Sequence, residues 1–422
     1  MYVRPHRALV RLGFGLVVWL AVLGMTAQTA SAKEYLLGLM CDRSGPTGNI
    51  GKLLCDGFHD YIKLYNYKKG LPNGHTIRVM EIDHGYNVPR GVEAYQRFIE
   101  SGAISIGLYG TPILIAVAKN MDEDKISGSV PGLAAFAADG EKYPYIFPAS
   151  ATYWSQSAAA IRFMMDRWEG KEQPKIAYLF YDNPAGREPL PILNAIQQKE
   201  GFTLREFAVP PPGIEMRPQV LDITRRYRAD WVLIHTFGRA SGVALKELIR
   251  AGFPRDRMIG MVWAGTESDI EVAGWDSVEG YYTLQMAHVG SSRKNPNHPL
   301  LKEIVDMYKA LGEEQNNSMD YSVMYNRGVM WGAFHAEGLR AAIEKYGADL
   351  TRDQARMGLE TIRDFGLNGF MPPMTITNKD HEGGGYIRIF QVKDHGFVPA
   401  SEWMHGYRDI VQEHLAELSK LK

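Results

Sequence analysis

The 422-residue chain is poor in cysteine, with Cys41 and Cys55 alone. Two thiols allow one bridge at most. It also lacks any long basic run. Lysines and arginines are interspersed with acids, and the formal net charge is −1, which argues against nucleic acid as a partner. Beyond residue 32 no stretch is apolar enough to cross a membrane. Catalytic signatures are missing too. Gly45 to Gly51, followed by Lys52, has the wrong spacing for a phosphate loop, and Leu53 stands where Ser or Thr would bind magnesium. There is no G-x-S-x-G elbow and no H-E-x-x-H. The twelve histidines show no metal-ligand spacing. His59-Asp60 and Asp83-His84 are lone pairs, and no nucleophile has a base beside it. An enzyme is not expected, nor a cofactor or metal.

What is present begins with a distinct leader. Arg4, Arg7 and Arg11 accompany an almost wholly apolar run from Leu12 to Met25, and Ala30-Ser31-Ala32 supplies small residues. This is the pattern of a secretory signal peptide over residues 1–32, cleaved before Lys33. The apolar core is short for a membrane span of roughly 20 residues. Losing three arginines and no acids takes the formal charge from −1 to −4. Export permits disulfides. Cys41, at a strand end, and Cys55, in the following helix, are either bridged or two buried thiols.

The remainder, 45% hydrophobic and 23% charged over the whole chain, is ordinary globular material long enough for two lobes. Tyr35 to Met40 reads as a buried strand. A polar loop from Asp42 to Gly48 follows, and Leu53, Leu54, Phe58, Tyr61, Ile62 and Tyr65 then recur at helical spacing. The same strand–loop–helix unit repeats through Thr76–Ile82, Ile104–Tyr109 and Ile126–Val130. A second series contains strands at Lys175–Tyr181, Phe202–Val209, Trp231–His235 and Met258–Trp263. The fold class is therefore α/β, two doubly wound, Rossmann-like lobes. Helices are expected over His298–Leu311, Tyr321–Tyr346 and Arg352–Arg363. The glycines Gly328, Gly332 and Gly338 in the long one point to close packing or bending. Gly383-Gly384-Gly385 reads as a hairpin turn before a strand from Tyr386 to Val392.

In wound sheets ligands sit beyond the carboxyl ends of strands. Thr111, with Pro112 after it, suits a helix N-cap whose free N–H groups favour a ligand acceptor. It serves its own helix, a ligand, or both. Glu267 pairs with a ligand cation or is a solvated loop acid. Arg43 meets a ligand anion or a surface acid. Tyr109, Phe136, Trp154, Tyr181, Phe237 and Trp263 lie near strand ends and are candidates for an aromatic cleft or for the core.

The order of these elements resembles the type I periplasmic solute-binding proteins of the branched-chain amino acid ABC transporter-like branch. The resemblance runs from Glu34 to about Pro399. It rests on Ser44-Gly45-Pro46, Gly110-Thr111-Pro112, Tyr143-Pro144-Tyr145-Ile146-Phe147, Lys175-Ile176-Ala177 and Ile389-Phe390-Gln391-Val392-Lys393 in that order. It implies two lobes joined by a three-crossing hinge, with lobe 1 at 33–151 plus 287–371 and lobe 2 at 152–286 plus 372–422. The implied ligand residues are Arg43, Ser44, Tyr109, Thr111, Leu133, Ala134, Ala185, Phe237 and Glu267. Two departures stand out. Gly132-Leu133-Ala134 carries no hydroxyl where amino-acid binders show a Ser-Ala-Thr type segment, and Ala185 precedes Gly186 where they often carry tyrosine. These favour a larger or more apolar solute, such as an aromatic or short organic acid, over an amino-acid-like one, while Glu267 matches the family's amine-binding position.

The function implied is a monomeric periplasmic receptor that closes on a small organic solute and hands it to an inner-membrane ABC permease. The alternatives are a sensory module of the same fold acting on a membrane receptor, and a secreted hydrolase using residues such as Asp42 and His84.

Overall fold

A computed structural model describes residues 1–2, 32–132 and 134–420. Leu133 and nearly all of the expected leader lie outside these residues. The first sheet consists of β1 (Glu34–Cys41), β2 (Thr76–Asp83), β3 (Ser105–Gly107), β4 (Ser127–Ser129) and β5 (Ile146–Phe147). Its order is β2-β1-β3-β4-β5, and every pair is parallel. Seven of the eight β1 residues are buried, as the short apolar run demands of a strand covered on both faces. The connecting helices are α1 (Gly48–Tyr67), α2 (Val88–Glu100) and α3 (Thr111–Glu123). From β1 the chain winds outward to β2, then returns to β3 on the other side. The switch point thus lies between the carboxyl ends of β1 and β3.

The second sheet repeats the device. It contains β6 (Lys175–Tyr181), β7 (Thr203–Val209), β8 (Trp231–His235), β9 (Met258–Gly260), β10 (Tyr282–Gln285), β11 (Arg388–Lys393) and β12 (Gly396–Pro399). The order β12-β11-β10-β9-β8-β6-β7 puts its switch point between β6 and β8. The strands are parallel except where β11 pairs with β10 and β12. Around it run α4 (Tyr153–Asp166), α5 (Pro184–Arg187), α6 (Leu190–Glu200), α7 (Arg217–Leu221), α8 (Arg239–Arg250) and α9 (Glu267–Ala273). After β10 come α10 (Pro299–Leu311), α11 (Ser322–Tyr346) and α12 (Arg352–Leu359), and α13 (Arg408–Lys420) ends the described chain.

α10 and α11 pack on α1 of the first sheet, and α12 packs on α11. A Cβ on Gly328 would run into the Leu54 carbonyl, so the long helix seats backbone against backbone there. The expected hairpin turn at Gly383-Gly384-Gly385 is elsewhere. The β11–β12 hairpin turns at Asp394 and His395, both left-handed (φ 51° and 55°), the backbone of a tight two-residue turn. α13 has no counterpart in the sequence reading. No helix among the described residues is long and apolar enough to cross a membrane.

Cys41 and Cys55 are disulfide-bonded, with Cα atoms 6.4 Å apart, tying the end of β1 to α1 across a sequence separation of 14. A loop of that length is worth about 3 kcal/mol in unfolded-chain entropy. The double variant C41A/C55A is expected to lose about that much stability in denaturant titration. An unchanged midpoint and slope would show that the bridge constrains nothing the unfolded chain lacks.

Candidate ligand-binding site

Both switch points open toward one cleft. On the first sheet's side, Asp42 follows β1 and is fully buried. Its carboxylate accepts from the Gly45 N–H (2.6 Å), the Thr47 N–H (2.9 Å) and the Thr47 hydroxyl (2.6 Å). Thr47 Oγ1 in turn accepts from the Tyr109 hydroxyl at 3.1 Å. The loop after β1 thereby positions the ring that follows β3. Next to it, Gly110 has φ +101° and occupies the N-cap of α3, and no side chain caps the helix. Thr111, expected at that cap, is instead the first helical residue. Its hydroxyl is buried, faces the Tyr153 hydroxyl short of hydrogen-bond geometry, and has no partner among the described residues.

These groups line a small inner chamber of about 20 Å³ with Ile50, Tyr86, Val130 and Tyr153. Phe237 after β8 and Trp263 after β9 close it from the second sheet's side. Tyr86 stands nearly perpendicular to Tyr109 (81°), and Tyr109 to Trp263 (80°), so the walls form a box. Trp263 Nε1 donates to the Tyr153 oxygen at 3.1 Å. No carboxylate or amine lines the chamber among the described residues. Phe237 rests on His235, ring centroids 4.9 Å apart. That imidazole is held down to about 3 by burial and bonds the Tyr178 hydroxyl through Nδ1. It is therefore a neutral support.

Thr47, Tyr86 and Phe237 also border an outer groove of about 590 Å³, with Gly45, Pro46 and Pro112 on one side. Tyr181, Asn183, Pro212, Ile214 and Arg239 form the other. That volume is in the range of small-molecule sites.

The residues expected from the sequence are distributed unevenly. Tyr109, Thr111 and Phe237 line the chamber, and Gly45 and Pro46 beside Ser44 line the groove. Among the wider aromatic set, Tyr181 and Trp263 are lining residues. Phe136 packs on Tyr143, and Trp154 is buried and donates to the Glu188 carbonyl. Arg43 pairs with Glu81 and Asp56, so its charge is spent within its own lobe. Ser44 is exposed. Ala134 and Ala185 are buried and border neither space, and Leu133 lies outside the described residues. Glu267 is buried and borders neither the chamber nor the groove. Its carboxylate accepts from the Ser322 hydroxyl (2.6 Å) and the Val323 N–H (3.1 Å), capping α11 from the second sheet's side. Burial raises its pKa. An acid already engaged by a helix N-terminus is not offered to a ligand amine. His84 is buried, held near 4, and accepts from the Tyr86 N–H through Nδ1.

Thr47, Tyr86, Val130 and Tyr153, which line the chamber, were not among the residues expected from the sequence. Tyr86 lies in the loop after β2, and Tyr153 starts α4. Thr47 and Val130 do follow strands, but neither carries a side chain that marks it out there.

Comparison with solved structures agrees with this architecture. A protein of the Pseudomonas fluorescens group, described as an ABC transporter permease, superposes with a TM-score of 0.82 at 28% identity, over 92% of this chain and 96% of its own. A branched-chain amino acid ABC transporter protein from Thermus thermophilus with bound valine gives 0.78 at 19%, over 91% and 99%. A fatty acid ABC transporter substrate-binding protein from Thermomonospora curvata gives 0.74 at 18%, over 90% and 94%. A search of curated proteins found no match. A family model described as periplasmic binding protein matches residues 34–396, and with two wound lobes facing one cleft the chain belongs to that family.

Proposed function

We propose that this protein is the periplasmic solute-binding component of an ABC importer, exported by the leader at 1–32 and acting as a monomer on an inner-membrane permease. The observation that carries the reading is the chamber itself. Its walls come from the switch points of both sheets, so an occupant bridges the lobes and favours their closed arrangement. The lobe limits of 33–151 plus 287–371 and 152–286 plus 372–422 fit the packing of α10 and α11 on α1.

The solute is a small organic molecule other than an α-amino acid. Glu267 is committed to α11, and no acid lines the chamber among the described residues. Related structures carry valine in one case and are described as fatty acid receptors in another, so the fold does not restrict the ligand. Asp42 and His84 are each engaged within their own loops, so the reading includes no bond chemistry.

Native mass spectrometry of freshly purified protein is expected to reveal a co-purifying small molecule. Its removal should lower the melting temperature by mass action and expand the scattering profile. Identical profiles with and without a tightly bound solute would refute hinge closure.

A further inference from the structure

We propose that Arg327 makes the inner chamber selective for an anionic solute, a small carboxylate without an amine. The inference rests on the solute-binding reading above and specifies its ligand class. Arg327 lies in the second turn of α11 and is 1% exposed. Nη2 donates to the Val262 carbonyl (2.7 Å) and to Gln285 Oε1 (3.1 Å), both neutral. Nη1 is buried with no partner among the described residues. The guanidinium lies over the Trp263 ring, 4.9 Å from its centroid, directly behind one wall of the chamber.

A buried cation normally has a carboxylate against it, because an unpaired one costs several kcal/mol. Here the acid nearby is otherwise occupied. Glu267, the acid whose charge reaches Arg327, makes no ion pair with it and is engaged instead by the N-terminus of α11. Burial accordingly pulls the Arg327 pKa down to about 9. A carboxylate group entering the chamber, with the body of the solute in the outer groove that shares Thr47, Tyr86 and Phe237, restores the missing counter-charge.

The polar inventory points the same way. The Tyr109 proton is donated to Thr47. The Tyr153 oxygen accepts from Trp263, which leaves its own proton to donate, and the Thr111 hydroxyl has no partner among the described residues. The chamber thus presents two O–H donors backed by a positive charge. A carboxylate matches that set. A quaternary ammonium would suit aromatic walls in general, but one face of Trp263 is already taken by Arg327, whose charge opposes a second cation.

The test is calorimetric titration of the purified protein, freed of any co-purified solute, with matched pairs: butyrate against butyramide and benzoate against benzamide, with choline as the cation. At least one acid is expected to bind about tenfold or more tighter than its amide. That preference should persist in Arg327→Lys, which keeps the charge, and vanish in Arg327→Met. Should the methionine variant not fold, the wild-type pairs and the lysine variant decide. Equal binding of acid and amide, preferential binding of choline, or a methionine variant with the full preference each overturns the proposal. Binding by no member of any pair also overturns it, and the receptor reading is then judged separately by the mass of the co-purifying solute.

Discussion

Gly238→Val is expected to weaken solute binding by about a hundredfold or more while leaving both lobes folded. Gly238 follows β8 with φ +55° and ψ −134°, backbone that only glycine adopts readily. A Cβ there would lie 2.8 Å from the Pro46 carbonyl oxygen and 3.4 Å from Asn49 Oδ1. Pro46 belongs to the β1–α1 loop and Asn49 to the first turn of α1, both on the opposite sheet's side. The close approach therefore exists only where the two strand-end loops meet across the cleft.

Two costs follow from this geometry. Local strain of about 1–3 kcal/mol acts whether the cleft is open or shut, and lowers overall stability. The clash with Pro46 acts only in the closed arrangement, and so lowers the fraction of binding-competent molecules. Apparent affinity falls in proportion to that fraction. The measurement is titration with the co-purifying solute, paired with scattering at saturating concentration. A variant that binds as wild type and still contracts would show that this contact does not gate closure.

Glu188→Gln is expected to stabilise the protein at pH 9 and to change it far less at pH 5. Glu188 Oε1 accepts from the Ala135 N–H at 2.7 Å, and Oε2 is buried without a partner among the described residues. Burial pushes this carboxyl from 4.5 up to about 8 despite the hydrogen bond from Ala135, with a smaller push from Glu382. Below about 4.5 both folded and unfolded chains carry the proton, and the group is neutral to stability. Between 4.5 and 8 the unfolded chain releases it while the folded chain holds it. Folding then binds a proton, and stability declines as pH rises through the folded pKa.

The displacement is worth on the order of 5 kcal/mol if fully expressed. The stem of Glu188 is partly exposed, and solvent screening reduces this to about 2–3 kcal/mol. Glutamine retains an acceptor for Ala135 and carries no charge to bury. Denaturant titrations of both proteins at pH 5 and pH 9 should therefore diverge with pH. A stability difference that is constant across that range would remove Glu188 as the cause.

How much was legible in the sequence depended on which interactions set each feature. Strand limits such as Lys175–Tyr181 and Trp231–His235 coincide with the observed elements. A run of apolar residues buried on both faces of a parallel sheet leaves no polar positions to blur its ends. The glycine stripe of α11 was also readable, because a helix can approach another that closely only where side chains are missing. The tail was less so. β11 is held by antiparallel pairing to β10, and that partner lies more than a hundred residues earlier.

The sequence by itself determined the α/β class and the repeated strand–loop–helix plan, and it offered as candidates four residues that line the chamber, Tyr109, Thr111, Phe237 and Trp263. Local periodicity and strand-end position suffice for these. Only the tertiary structure decided where charge is available. Glu267 stood at a position that suggests amine binding, yet folding brings Ser322 and Val323 against it from 55 residues away and consumes it. Arg327 carries no distinguishing pattern in the sequence, and only packing buries it against Trp263 with no ion-pair partner among the described residues. Whether a charge is spent or free depends on neighbours the chain order does not reveal, because electrostatic partners are chosen by proximity in space.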